Sequence, residues 1–318
     1  MILIIGLFRK KKSYSNCYYE LKAIKINRIM VKDVMCIHRE DKLIDAAHTM
    51  IGAHVSCLVV LKDYKPIGII TERDFVKKLS MSKDHSEEMF VNDIRTKKLF
   101  TIKPNLSLFE AQKIMKNHNF RKLLVVEDDE LKGIITQTDL CRIIAELRSP
   151  HPQAPLVKDV MTRKVLTVRE DDKFLKAKRL MTSKDIGSVI VADKEQIRGI
   201  FTEFDLVSEF FLNPNRLRDS YMKDLMTSPV ICITPDFDMF QVNKIMLEHN
   251  FRRLPVGDEH KMLGIITQTD VARSLYEFIE KNKDFVEDKK VGDEIKKEKA
   301  LEYTIKKKGS IILYEKKE

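Results

Sequence analysis

Most of what would mark this 318-residue chain as an enzyme is missing from it. It has no HExxH, no GxSxG and no P-loop string, so the zinc-hydrolase, serine-hydrolase and Walker-type routes have no support. Its eight histidines and five cysteines show no metal-ligand spacing. The cysteines, at 17, 36, 57, 141 and 232, are odd in number and form no CxxC. That pattern points to a reduced, cytoplasmic protein, not a disulfide framework. No apolar run approaches the roughly 20 residues a bilayer span needs. The apolar stretch from Met1 to Phe8 precedes Arg9-Lys-Lys-Lys12, the reverse of a signal peptide's order. It reads as a sticky arm, a docking strand or an upstream extension of the reading frame.

A basic face is also lacking. The net charge is +10, but residues 1–30 hold seven Lys/Arg against one Glu, and residues 281–318 hold twelve Lys against nine Asp/Glu. The tails thus carry nearly all of the excess. Folded duplex-binding domains concentrate charge on one face, so this distribution disfavours nucleic acid as the main partner. Solvated basic tails are the plainer reading.

What is present is repetition. Four strings end with the same pattern: Gly68-Ile-Ile-Thr-Glu-Arg-Asp74, Gly133-Ile-Ile-Thr-Gln-Thr-Asp139, Gly199-Ile-Phe-Thr-Glu-Phe-Asp205 and Gly264-Ile-Ile-Thr-Gln-Thr-Asp270. Their glycines lie 65, 66 and 65 residues apart, a period that implies a repeat architecture. The second repeat shows the script. Leu99 to Ile102 alternates as a short strand, and Ser107 is placed to cap a helix from Leu108 to His118. Leu123 to Val126 reads as a buried strand, Glu127 to Glu130 as a polar turn, and Leu131 to Thr136 as a strand. A final helix opens near Asp139. The order is strand, helix, strand, strand, helix, an α/β (α+β) unit.

A unit of about 60 residues buries little surface alone, so the four are expected to pair into two modules. The Pro-rich stretch 149–156 divides them. The expected organisation is a basic extension 1–26, module one 27–148, linker 149–156, module two 157–280 and a lysine-rich tail 281–318, with Ile311 to Tyr314 as one more short strand. The lead-in Val157-Lys-Asp-Val-Met161 matches Met222-Lys-Asp-Leu-Met226 and, in repeat one, Val31-Lys-Asp-Val-Met35. On that match repeat one is short: Val31 to Gly68 spans 37 residues against 42 in the others.

The recurring Thr-x-x-Asp has a plain role as a helix cap. Its retention in all four repeats, with a Gly six residues before the Asp, argues for more: an Asp that accepts two ribose hydroxyls beside helix amides that meet an anion. A second constellation alternates. Repeats two and four have His118-Asn-Phe-Arg121-Lys122 and His249-Asn-Phe-Arg252-Arg253, whereas repeats one and three have Ala53-His-Val-Ser56 and Lys184-Asp-Ile-Gly187. The asparagines suit a left-handed helix end. The paired cations are either solvated or a phosphate clamp.

These strings resemble the cystathionine-beta-synthase (CBS) domain family over about residues 27–280. The four-repeat layout is similar to archaeal stand-alone CBS proteins and to the gamma subunit of AMP-activated protein kinase. The resemblance implies Bateman modules of two repeats packed sheet to sheet, closing into a disc as a monomer or a homodimer of discs. It implies AMP, ADP or ATP in clefts between repeats. Carried over, the cleft of repeat one uses Ile69, Thr71 and Asp74 with Leu99, Phe100, Arg121 and Lys122. That of repeat three uses Ile200, Thr202 and Asp205 with Val230, Ile231, Arg252 and Arg253. These two rank first. The cleft of repeat four uses Ile265, Thr267 and Asp270 with Leu166, Ile186 and Gly187; without partner cations it favours fewer phosphates or an uncharged adenosyl group. The cleft of Thr136 and Asp139 depends on the shortened lead-in and is expected weak or empty. Repeats two and four depart from the gamma-subunit pattern, which has His-Arg where Arg121-Lys122 and Arg252-Arg253 stand.

The expected function is non-catalytic: an adenine-nucleotide sensor of energy state that passes a packing change to a separate effector protein. The alternatives are a module for S-adenosylmethionine or methylthioadenosine, and a nucleotide-regulated nucleic-acid-associated protein.

Overall fold

The computed structural model describes residues 14–79, 88–147, 153–213, 217, 219–258, 260–283, 303–308 and 311–316. The stretch from Met1 to Phe8 and the first half of the Pro-rich linker, 149–152, lie outside the described residues.

Each repeat folds as its pattern predicts, and the reasons are local. In repeat two Ser107 caps the helix Leu108–His118: Glu110 N donates to Ser107 Oγ at 3.2 Å, and Ser107 N donates to Glu110 Oε2 at 3.0 Å. Asn119 ends that helix at φ 56°, as Asn250 does in repeat four. The strands Lys122–Glu127 and Glu130–Thr136 pair antiparallel across Asp128 and Asp129, both at positive φ as a tight hairpin turn requires. A short strand runs parallel to the first hairpin strand in every repeat, giving a three-stranded sheet in repeats one to three.

Repeat four differs at its edge. The hairpin Tyr303–Lys308 and Ile311–Lys316 adds two strands, with Ile311–Tyr314 running parallel to Val230–Ile233. Ile311 and Leu313 are buried on one face and Tyr314 on the other, and the strand expected in the tail lies inside a five-stranded sheet, between Val230–Ile233 and the edge strand Tyr303–Lys308.

Two kinds of contact assemble the repeats. Sheets face each other within a module: Val59, Leu124 and Ile134 form the seam of module one, and Ile190, Ile197, Val230 and Cys232 that of module two. Helices pack across modules. Leu43, Phe75 and Val76 of repeat one share a core with Phe174, Phe201 and Leu206 of repeat three. Leu108, Met115 and Ile144 of repeat two share another with Val242, Leu275 and Tyr276 of repeat four. The N-terminal segment also joins this second core. Its helix Tyr14–Ala23 buries Cys17, Tyr18 and Leu21, with Tyr18 edge-on to Phe109 at 4.9 Å.

One expectation fails. Repeat one is not short, because its lead-in is Ile26–Met30 and not Val31–Met35. Ile26 N donates to Leu106 O at 2.9 Å and Asn27 N to Pro104 O at 2.9 Å, as Val157 N does to Phe237 O at 2.8 Å and Lys158 N to Pro235 O at 2.9 Å. Val31 bridges Ile134 just as Thr162 bridges Ile265. Ile26 to Gly68 is 42 residues, equal to the other repeats. The physical reason is burial. Ile26 is fully buried, whereas Val31 is 43% and Met35 40% exposed, so the look-alike string cannot serve as the buried start.

Candidate functional site

The four Thr-x-x-Asp strings form one device. The Thr ends the hairpin strand and caps the following helix, and the Asp is the third helical residue. In repeat three Thr202 N and Thr202 Oγ1 both donate to Asp205 Oδ2 at 2.8 Å, and Asp205 N donates back to Thr202 Oγ1 at 3.3 Å. Thr71–Asp74, Thr136–Asp139 and Thr267–Asp270 repeat the box, with Oδ2 taking the backbone bond at 2.9 Å each time. Capping therefore accounts for one carboxyl oxygen and leaves the other to distinguish the repeats. Asp74 Oδ1 accepts from Thr96 Oγ1 at 2.9 Å. Asp139 Oδ1 lies 3.1 Å from Arg142 Nη1.

The recurring glycine has a packing cause. A Cβ on Gly133 would come within 2.8 Å of Met30 Sδ and of the Val31 carbonyl, and one on Gly264 within 2.8 Å of Met161 Sδ and 2.9 Å of the Thr162 carbonyl. Gly199 meets Met226, and Gly68 meets Arg95, in the same way. Each glycine lets the partner's lead-in close over the hairpin, which pairs Ile69 with Thr96 and Ile200 with Thr227. The predicted pairing of each box with its partner's lead-in is therefore present in all four repeats. Thr96, Thr162 and Thr227 occupy one position; Val31 stands there for the box of repeat two.

The cations separate into two roles. Lys122 Nζ donates to Ser56 Oγ at 3.1 Å, and Arg253 Nη1 donates to the Gly187 carbonyl, so the second of each pair ties its own module together. A Cβ on Gly187 would meet the ends of the Arg253 and Glu203 side chains at 2.9 Å, so a larger residue there would displace them. Arg121 and Arg252 stay exposed. All of these converge where the modules meet, with two buried acids. Glu203 accepts from Arg73 Nε at 2.9 Å, and Glu72 Oε2 lies 3.7 Å from Arg252 Nη1. Burial pushes the Arg253 guanidinium down to about 10, with Glu203 opposing the shift. Burial also lifts Glu72 and Asp205 above the usual carboxylate range; Arg252 opposes it for Glu72 and the Thr202 bonds for Asp205.

A cavity of about 310 Å³ opens at this centre. Its lining includes Ile200, Thr202, Asp205, Val230, Ile231, Arg252 and Arg253, every residue expected for the cleft of repeat three. Thr227, Pro229, Asn250 and Phe251 complete the near wall, and His54 and Glu72 reach in from repeat one. The ring of Phe251 stacks on His249 at 5.7 Å, whose Nε2 lies 2.6 Å from Tyr314 Oη, so the C-terminal hairpin braces this wall.

The other groups are placed differently. In the cleft of repeat one, Phe100 packs on Phe120 at 4.0 Å and Leu99 joins the sheet seam. Ile69 and Thr71 hold their expected positions, but Thr96 engages Asp74. For repeat four, Ile265 and the Thr267–Asp270 box are in register with Thr162. Leu166 is 36% exposed, while Ile186 turns to the helical core and Gly187 to the arginine cluster. Glu72 and Glu203 escaped the sequence reading. Their signal was there: the residue after the Thr is Glu in odd repeats and Gln in even ones. The even pair makes the matching crossing, Thr138 Oγ1 to Gln268 Oε1 at 2.8 Å and Thr269 Oγ1 to Gln137 Oε1 at 2.9 Å.

Among the described residues no group of His, Cys, Asp and Glu is arranged to hold a metal, and no helix is long and apolar enough to cross a membrane.

Comparison with known proteins agrees with the repeat boundaries. The family model for the CBS domain matches residues 26–81, 91–146, 157–211 and 222–277, the first match starting at Ile26. Protein MJ1225 of Methanocaldococcus jannaschii is 29% identical over 207 residues, covering 59% of this chain and 72% of that protein. MJ0450 of the same organism is 30% identical over 124 residues, covering 38% of this chain and 67% of that protein. The crystal structure of MJ1225, a suggested archaeal homologue of γ-AMPK, superposes with a TM-score of 0.71 at 21% identity, covering 79% of this chain and all of that one. A Pyrococcus horikoshii protein of unassigned function superposes at 0.54 with the same coverage and 20% identity.

Proposed function

We propose that this chain, which belongs to the CBS-domain family, is a non-catalytic regulatory protein that binds an adenine nucleotide in the cleft of repeat three. One observation supports this above the rest. Seven residues expected from two different repeats line one cavity. In this reading Ile200, Val230 and Ile231 sandwich the base, and the box Asp205 takes the ribose hydroxyls. Thr202, the helix start and Arg252 meet the phosphate.

Regulation follows from where the cavity lies. His54 and Glu72 belong to the other module, so a ligand touches both. A ligand that fits one relative placement of the modules better than another shifts their equilibrium by its difference in affinity. A separate effector protein would read the shift.

Calorimetric titration of the chain with AMP, ADP, ATP and S-adenosylmethionine tests the reading. Binding of a nucleotide that Asp205→Ala weakens supports it. Equal titrations of parent and variant reject the assignment, and S-adenosylmethionine displacing AMP would favour a thioether module.

A further inference from the structure

The repeat-three cavity contains one acid that its own module does not supply. Glu72 belongs to repeat one, is buried at 8% exposure, and faces Arg252 across 3.7 Å. It cannot easily withdraw. The Thr71–Asp74 box fixes the helix start on which it sits, and Glu72 N donates to Ser56 O at 3.4 Å.

The lining holds two arginines against three carboxylates, Glu72, Glu203 and Asp205. The other charges have partners that a phosphate would not disturb. Arg253 donates to the Gly187 carbonyl, Glu203 accepts from Arg73, and Asp205 closes its box with Thr202. Arg252 is exposed and aimed at the cavity, and Glu72 is its counter-ion. A phosphate reaching Arg252 must therefore share it with a carboxylate. One phosphate group can share a guanidinium fork. A triphosphate would crowd further negative charge beside Glu72 in a partly buried setting, where like charges strongly oppose one another.

We infer that Glu72 is a specificity-determining residue of this cleft, selecting adenosine ligands with a single phosphate over those with three. The inference rests on the nucleotide reading above and adds to it a residue from the opposite module.

The test titrates the full chain, Glu72→Gln, Glu72→Ser and Glu72→Asp with AMP and ATP at one salt concentration. The parent is expected to prefer AMP. Both neutral variants should gain about tenfold in ATP affinity, the equivalent of one pKa unit of charge interaction, while AMP changes by less than about threefold. Glu72→Asp keeps the charge and should keep the preference; two neutral replacements of different size guard against misfolding of either. A parent that binds both nucleotides, with neutral variants holding its ATP-to-AMP ratio within about twofold, overturns the inference and leaves the nucleotide reading standing. A parent that binds neither overturns both.

Discussion

In the cleft of repeat three, Asp205 lines an open cavity with Thr227 and two arginines. In the cleft of repeat two, the equivalent Asp139 is held by its own helix at 3.1 Å from Arg142, and Val31 stands where Thr227 would be. Both clefts have the same box, the same close-packed glycine and a lead-in of the same length. The difference teaches that the fold sets the positions, while the occupant of the second carboxyl oxygen sets what each position can do. The expectation of a weak repeat-two cleft loses its first ground, since the shortened lead-in does not exist; as a proposal it rests instead on Arg142 and Val31.

The largest expected effect tests that corrected lead-in. Ile26→Ala should destabilise the chain by about 2–5 kcal/mol, the usual cost of emptying a buried aliphatic site. Val31→Ala, at an exposed residue, should stay within about 0.5 kcal/mol. Chemical denaturation of both variants reads the contrast. Equal losses would restore Val31 as the buried start.

Next comes the contrast between the two aspartates. Each loses its cap on truncation, so Asp205→Ala and Asp139→Ala should both lower stability by about 1 kcal/mol. Only Asp205→Ala should weaken nucleotide binding. A lost hydrogen bond to a charged group is worth about 1.5–3 kcal/mol, or roughly 10–100-fold. Equal effects on binding would erase the distinction between the clefts. A smaller effect sharpens it. Arg142→Ala removes an ion pair whose cation is well exposed, so stability should change by less than about 1 kcal/mol. If that pair is what occupies Asp139, calorimetry should then register a second, weaker binding event; an unchanged stoichiometry points to Val31 instead.

The fold was legible because its signals are local and repeated. Ser107 and Asn119 announce the helix between them, the Asp128–Asp129 turn announces its hairpin, and four glycines at a fixed period announce the repeat. The lining of the repeat-three cavity was legible too, since residue type and register carried over together. Two things were not. The lead-in of repeat one was misplaced because Val31-Lys-Asp-Val-Met35 looks right as a string, and only burial of Ile26 decides between the two. The acids Glu72 and Glu203 were passed over because their meaning depends on which helices meet across modules. Such a contact joins residues 130 positions apart, as Arg73 and Glu203 are. The N-terminal helix was missed for a similar reason: its stretch reads as a basic tail until Tyr18 and Leu21 are seen in the core that holds Phe109 and Tyr276.

The smallest effect concerns pH and asks whether Glu72 is held charged against its own preference. Burial lifts its pKa in the folded chain, more than Arg252 and Lys122 lower it, and Glu203 adds to the lift. In the unfolded chain the same group ionises near the ordinary value of about 4.3. Between those two values the folded state binds more protons than the unfolded state, so this group makes stability fall as pH rises. Its favourable contribution is complete below the ordinary value and is lost once pH passes the raised one. Glu72→Gln removes that term alone, leaving the acids of lowered pKa, such as Asp185 and Asp172, common to both proteins. The variant should therefore gain stability relative to the parent as pH rises through the window, and hold that gain at neutral pH. Paired denaturation curves from pH 4 to 7 measure it. A variant that instead loses ground with rising pH would mean that the ion pair with Arg252 outweighs burial, and that Glu72 supports the meeting of the modules instead of straining it.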